Sequence, residues 1–132
     1  MKTVEFKDKK FLDLLPLNNR DKFICIWDTD SFDCCDEDIR KLINKGCFAF
    51  ISVGKRAEEL HDIFDEILVI INVTENSNRH EIFVDTLWET NPVNDFSEVI
   101  HQAKNCMIEE VDRVCNNIYI FTKSSMQQLA EN

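Results

Sequence analysis

Phe23-Ile24-Cys25-Ile26-Trp27-Asp28 and Cys47-Phe48-Ala49-Phe50-Ile51-Ser52-Val53 are two short apolar runs, each closed by a polar or small residue. A strand wetted on one face alternates apolar with polar residues, whereas a run apolar on both sides suits a central strand covered on both faces. Between the runs, Asp33 or Cys34 opens a predicted helix that reaches Asn44, with Cys35, Ile39, Leu42 and Ile43 at helical spacing. Gly46 stands where a glycine that ends a helix belongs. Strand, helix, strand in this order is the unit of a parallel sheet with right-handed crossovers.

The pattern extends outward from this unit. A second helix is expected from Arg56 to Asp65, with Leu60, Ile63 and Phe64 inward and Glu58, Glu59, Asp62, Asp65 and Glu66 outward. Ile67 to Val73 reads as a third strand, Thr74 to Arg79 as a turn, and His80 to Trp88 as a fourth strand. A connection this short suits antiparallel pairing of those two strands. Pro92 breaks the chain, and Asn94 or Asp95 caps a third helix. Its inner stripe is Phe96, Val99, Ile100 and Ala103, extended by Met107 as the helix continues toward Val114. Ile118 to Phe121 is the last strand, Val4-Glu5-Phe6 an N-terminal arm or edge strand, and residues 123–132 a polar tail. The expected fold is α/β: a three-layer sandwich with a mainly parallel sheet of about five strands and helices on both faces, in one domain over residues 1–132.

Composition narrows the function classes. A length of 132 residues suits one core, and 44% apolar residues with ten Phe exclude a disordered chain. A net charge of −10 argues against a nucleic-acid binder, which needs clustered Lys and Arg. The charge is uneven, +2 over residues 1–20 and −12 over the remainder. The N-terminus lacks the apolar core of a secretory signal, and Ile67 to Ile71 is far too short to span a bilayer, so a cytoplasmic protein without membrane contact is expected. Six cysteines without a Cys-x-x-Cys pair read as reduced structural thiols, and those at Cys34-Cys35 should be raised in pKa by the neighbouring carboxylates. Two glycines exclude a glycine-rich phosphate loop, although Gly54-Lys55-Arg56 could hold an anion at a helix start. The scattered His61, His80 and His101 have no zinc-binding spacing, so neither metal nor cofactor is expected.

Six carboxylates, Asp28, Asp30, Asp33, Asp36, Glu37 and Asp38, fall within residues 28–38 with no base among them. Asp28 and Asp30 lie beyond the carboxyl end of the first central strand, where open α/β sheets bind ligands. Crowded carboxylates need neutralising by a metal, a basic partner or a proton. Helix capping by Asp33, and attraction of Asp36 to Asp38 by the helix dipole, account for about half of the cluster. Trp88 and Glu89, closing the fourth strand, are a second candidate, Trp88 as an interface anchor or as core.

Several resemblances follow from these residues. Asp28-Thr29-Asp30-Ser31 after an apolar strand resembles the start of haloacid-dehalogenase-like phosphatases. That likeness implies Asp28 as nucleophile, Asp30 as proton carrier, Ser52 as the second motif, Lys55 near phosphate, and magnesium. The chain departs from the pattern in lacking the glycine after the second Asp and a late acidic pair. Length and alternation are also similar to a response-regulator receiver. That implies Asp28 and Asp30 as metal-binding acids, Asp85 as phosphoacceptor and Lys123 as the strand-end lysine. Lys45-Gly46-Cys47, Val53-Gly54, Asp62 to Glu66, and Thr86 to Thr90 before Phe96-Ser97-Glu98-Val99 resemble a group of small bacterial α/β proteins of unknown function. By composition, the chain is similar to immunity proteins of bacterial toxin systems.

The leading expectation is a non-catalytic acidic binding protein, an immunity protein that blocks a toxin with a basic active-site surface. Asp28, Asp30, Asp33, Asp36, Glu37, Asp38, Trp88 and Glu89 would contact the protein partner. The alternatives are magnesium-dependent phosphoryl transfer, or a receiver-like domain, through Asp28 and Asp30, and a structural adaptor domain.

Overall fold

The computed structural model describes residues 2–15, 22–75, 81–90, 98–102 and 115–124. Five strands form one sheet: β1 (Lys2–Phe6), β2 (Lys22–Asp28), β3 (Cys47–Val53), β4 (Asp85–Glu89) and β5 (Cys115–Phe121). Helix α1 (Asp36–Asn44) joins β2 to β3, and α2 (Ala57–Ile70) follows β3. The order across the sheet is β1-β5-β2-β3-β4, and each of the four pairings is parallel.

Side chains that alternate across the strands give the sheet two unlike faces. Phe23, Cys25 and Trp27 of β2, Phe50 of β3, and Tyr119 and Phe121 of β5 form an aromatic face. Ile39, Leu42 and Ile43 of α1 and Leu60, Phe64 and Ile67 of α2 pack on it. The Phe50 and Phe64 rings stack at 4.3 Å, and Trp27 stacks on Phe121 at 4.9 Å. The opposite face is aliphatic: Ile24, Ile26, Ala49, Ile51, Val53, Ile118 and Ile120, packed against Val99 and Ile100 of a helical stretch at 98–102. Burying one such side chain contributes about 1.5–3 kcal/mol, so β2, apolar on both sides, is the natural centre. Val99 and Ile100 are buried as their helical spacing predicts. The rest of that predicted helix, its cap at Asn94 or Asp95, His80, and the tail beyond Ser124 lie outside the described residues.

Three expectations are corrected. Ile67 to Val73 is not a strand: α2 runs on to Ile70 and a wider π-type turn carries Ile71–Glu75. An apolar run of this length suits either a strand or a helix, and here helical spacing decides. Leu60, Phe64, Ile67 and Ile71 recur every three or four residues and are buried, while Val69, Ile70 and Val73 stay exposed. With that strand gone, the following one is shorter than expected, Asp85–Glu89, and pairs parallel to β3 rather than antiparallel to a neighbour. The first helix starts at Asp36, with Cys35 as its N-cap, so Asp33 is not the cap. Val4-Glu5-Phe6 does form an edge strand, set against β5.

Candidate functional site

In a parallel sheet all carboxyl ends point one way. Here the chain leaves β2 toward β3 on one side, whereas β5, the other neighbour, is reached only after β4, so the order reverses at β2 and β5. Asp28 and Thr122 stand at this switch point, buried to 3% and 0% exposure. One Asp28 oxygen, Oδ2, accepts from Thr122 Oγ1 at 2.6 Å and Ser31 Oγ at 2.7 Å, and Oδ1 accepts from the Asp30 N–H at 3.0 Å. The hydroxyls in turn accept backbone N–H groups, Ser31 from Lys123 at 2.9 Å and Thr122 from Ser124 at 3.1 Å. Asp28 thus ties the ends of β2 and β5 together.

The rest of the turn is spent on β3 and the entry to α2. Thr29 donates its N–H and its hydroxyl to Val53 O, at 2.8 and 2.7 Å. The Thr29 hydroxyl accepts the Arg56 N–H at 3.3 Å, and Asp30 Oδ1 accepts the Lys55 N–H at 3.2 Å. These carboxylate and hydroxyl oxygens take the place that an anion at Gly54-Lys55-Arg56 would need. Gly54 has φ +105°, and a Cβ there would lie 2.5 Å from Thr29 Oγ1, so the close approach of the two loops requires glycine.

This geometry does not fit a magnesium-supported phosphoryl site. Both Asp28 oxygens are engaged by donors, and the Ser52 hydroxyl is turned to Ala57 O at 2.6 Å. Asp85 opens β4 four residues before Glu89, the residue level with Val53, which in turn pairs with Asp28. It therefore lies about 13 Å back along the strand, toward the other end of the sheet. Lys123 Nζ sits 5.3 Å over the Phe32 ring.

The remaining acids separate into one buried group and several exposed ones. Asp38 is buried and accepts from the Cys35 N–H at 3.1 Å, the Cys35 thiol at 3.2 Å and Lys9 Nζ at 2.6 Å. Burial alone would push its carboxyl up, but the bonds from Lys9 and Cys35 and the Lys9 charge outweigh this and hold it below the ordinary carboxylate value. Burial likewise pulls Lys9 down, and its bond to Asp38 more than reverses this. Burial first, and the Asp38 charge second, push the Cys34 thiol far up, so its surroundings in the fold rather than the neighbouring carboxylates are the main cause. Asp36 pairs with Arg40 at 2.6 Å and Glu37 with Lys41 at 3.4 Å, both on the exposed side of α1. The fold thus supplies the bases that the segment lacks.

Asp33 remains the most open, 89% exposed, with Arg56 Nη1 at 3.6 Å. It borders a cleft of about 280 Å³ between the β2–α1 loop and α2. Phe32, Leu60 and Ile63 give the cleft an apolar floor, and Cys34 and Cys35 wall it. Asp33, Arg56 and Glu59 stand at its rim, where the Arg56 fork meets Glu59 at 3.0 and 3.3 Å. Trp27 fixes the loop from below, its indole N–H donating to Phe32 O at 3.0 Å. The predicted helix from Arg56 to Asp65 already places Glu59 one turn from Arg56, but nothing in the sequence brings Phe32 and Asp33 of the β2–α1 loop against them.

Residues 2–131 match the DUF7684 family, a domain of unknown function. The chain belongs to that family. No curated protein and no solved structure gives a significant match.

In this DUF7684 domain the second candidate lies on the far flank of α2. Trp88 is 45% exposed and leans on His61, ring centroids 4.4 Å apart, so it is neither free nor core. His61 also meets Asp62 at 3.0 Å and Asp65 at 3.5 Å, while Thr86 donates to Asp65 at 2.7 Å. Glu89 contributes its carbonyl, which accepts the Gly54 N–H at 3.0 Å. The eight candidates therefore form no single site. Asp28, Asp30 and Asp38 hold the scaffold, Asp33 rims the cleft beside Asp36 and Glu37, and Trp88 with Glu89 closes the β4 edge. Among the described residues, no three His, Cys, Asp or Glu side chains converge to hold a metal, and no helix is long and apolar enough to cross a membrane.

Proposed function

We propose that this DUF7684 domain is a binding protein for a basic protein surface, acting in the manner of a bacterial immunity protein that occludes a toxin. The observation that carries this reading is the cleft with an apolar floor, bordered by the exposed carboxylates Asp33 and Glu59, with Asp36 and Glu37 on the adjoining turn of α1. An apolar pocket within a polar rim is the usual anatomy of an interface anchor, and a net charge of −10 steers basic partners toward it. The acids in the position of catalytic carboxylates, Asp28 and Asp30, are already committed to the scaffold, which favours binding over phosphoryl chemistry.

The test is capture of a partner from the source organism, followed by titration of the purified partner at low and high salt. The variant for comparison is Asp33→Asn/Asp36→Asn/Glu37→Gln/Glu59→Gln, which leaves the buried Asp38 untouched. The proposal expects association with a basic protein to slow by about tenfold or more in the variant at low salt, with the difference shrinking at high salt. Equal affinities at both salt concentrations, or the absence of any basic partner, would overturn it.

A further inference from the structure

We infer that the cleft beside Phe32 receives an arginine side chain of the partner, its guanidinium pairing with Asp33 as Arg56 withdraws to Glu59. This rests on the binding reading above and names the chemistry of its anchor. At about 280 Å³ the cleft lies below the range of about 300–1,000 Å³ that encloses small-molecule ligands, and it suits one long side chain. Its floor of Phe32, Leu60 and Ile63 matches an aliphatic stem, which long basic residues bury while their charged heads stay at the rim.

The rim decides the sign of the head group. Of the charged side chains that line the cleft, two are carboxylates, Asp33 and Glu59, and one is a cation, Arg56, so the lining carries a net negative charge; Lys123, over the Phe32 ring at 5.3 Å, is not among the lining residues. The backbone donors that would serve an anion, the Lys55 and Arg56 N–H groups, are taken by Asp30 and Thr29. Arg56 also shows that this rim suits a guanidinium: its Nε and Nη2 both reach Glu59, at 3.0 and 3.3 Å, while its reach to Asp33 is loose at 3.6 Å. A planar fork meets a carboxylate with two parallel bonds, which an ammonium does not, so arginine is favoured over lysine. Exposed ion pairs are worth about 0–1 kcal/mol, so loosening Arg56 from Asp33 costs little.

The experiment uses the full chain and two small probes, N-acetyl-arginine amide and its uncharged isostere N-acetyl-citrulline amide, followed by amide shifts in NMR titrations. Expected are saturable shifts clustered at Phe32, Asp33, Glu59, Leu60 and Ile63, with citrulline at least fivefold weaker. Asp33→Asn should abolish the difference between the probes, and Arg56→Gln should tighten arginine binding several-fold by freeing both carboxylates. Equal response to the two probes, shifts scattered over the acidic surface, or weaker binding in Arg56→Gln would overturn the inference. A partner that is still lost in the four-site variant while the arginine probe ignores the cleft would refute the arginine anchor and leave the binding reading standing. An arginine probe that seats in the cleft while no basic partner is captured would refute the binding reading, and the partner's arginine with it, leaving only a guanidinium preference of the cleft.

Discussion

Replacing Thr122 by Val tests whether Asp28 is a structural tie. The substitution keeps shape and removes one hydroxyl that is buried and donates to Asp28 Oδ2 at 2.6 Å. A hydrogen bond to a charged group contributes about 1.5–3 kcal/mol, and here the carboxylate keeps only the Ser31 hydroxyl on that oxygen. For 132 residues, an unfolding entropy of about 2.1 cal/mol/K per residue converts 1 kcal/mol into about 3.6 °C. The midpoint of thermal unfolding should therefore fall by about 5–11 °C. Thr122→Ser is the control: it keeps the hydroxyl, loses one methyl group, and should cost only about 0.8 kcal/mol, or 3 °C. The opposite reading, in which Asp28 is a catalytic acid held at a cost to stability, expects relaxation of its surroundings to be neutral or stabilising. Unfolding followed by circular dichroism, or by calorimetry, separates the two by sign. A Val variant within about 0.5 kcal/mol of the parent, or less destabilised than the Ser variant, would refute the tie.

Two further predictions concern the same scaffold. Asp38→Asn should lose about 1–3 kcal/mol at neutral pH by weakening the bonds with Lys9 and Cys35. Because the folded Asp38 value is lowered, its contribution is present above the ordinary carboxylate range and is lost as pH falls through the folded value, so the gap between parent and variant in urea unfolding should close below about pH 4. The folded Lys9 value is raised, so the same gap should also close above about pH 10.5. Gly54→Ala should cost at least about 2 kcal/mol, from a left-handed residue at φ +105° and a Cβ driven to 2.5 Å from Thr29 Oγ1, read as a fall in the thermal midpoint.

The central unit of the fold was legible because it obeys local rules. β2 and β3 are apolar on both faces, α1 has an inward stripe, and Gly46 takes a positive φ of 101° just past its end. The failure at Ile67 to Val73 was equally physical, since β-branched residues favour strands locally while the register with Leu60 and Phe64 carries the helix on. The site was less legible for a different reason. The Thr122 hydroxyl that commits Asp28 comes from 94 positions away, and Lys9, which commits Asp38, comes from the N-terminal segment. Charge density along a sequence cannot anticipate such partners, because it is the sheet order that brings β5 beside β2.

That distinction changes what the acidic segment can do. Read as a row of six carboxylates, it would act as one field, and neutralising any member would weaken a partner by a similar amount. Folded, it is two populations. Asp28, Asp30 and Asp38 are engaged by backbone, hydroxyl and Lys9 donors, and their loss should register first as instability. Asp33, Asp36 and Glu37 face water in pairs with Arg56, Arg40 and Lys41. Exposed pairs of this kind add about 0–1 kcal/mol to stability, and a partner can exchange them at correspondingly small cost. Of the three, only the Asp36–Arg40 pair is close, at 2.6 Å, while Asp33 and Glu37 meet their cations at 3.6 and 3.4 Å. The cluster is therefore best regarded as a hydrogen-bonded turn that carries one displaceable edge. Affinity for a basic partner should depend on that edge and the apolar cleft behind it, rather than on the sum of the charge.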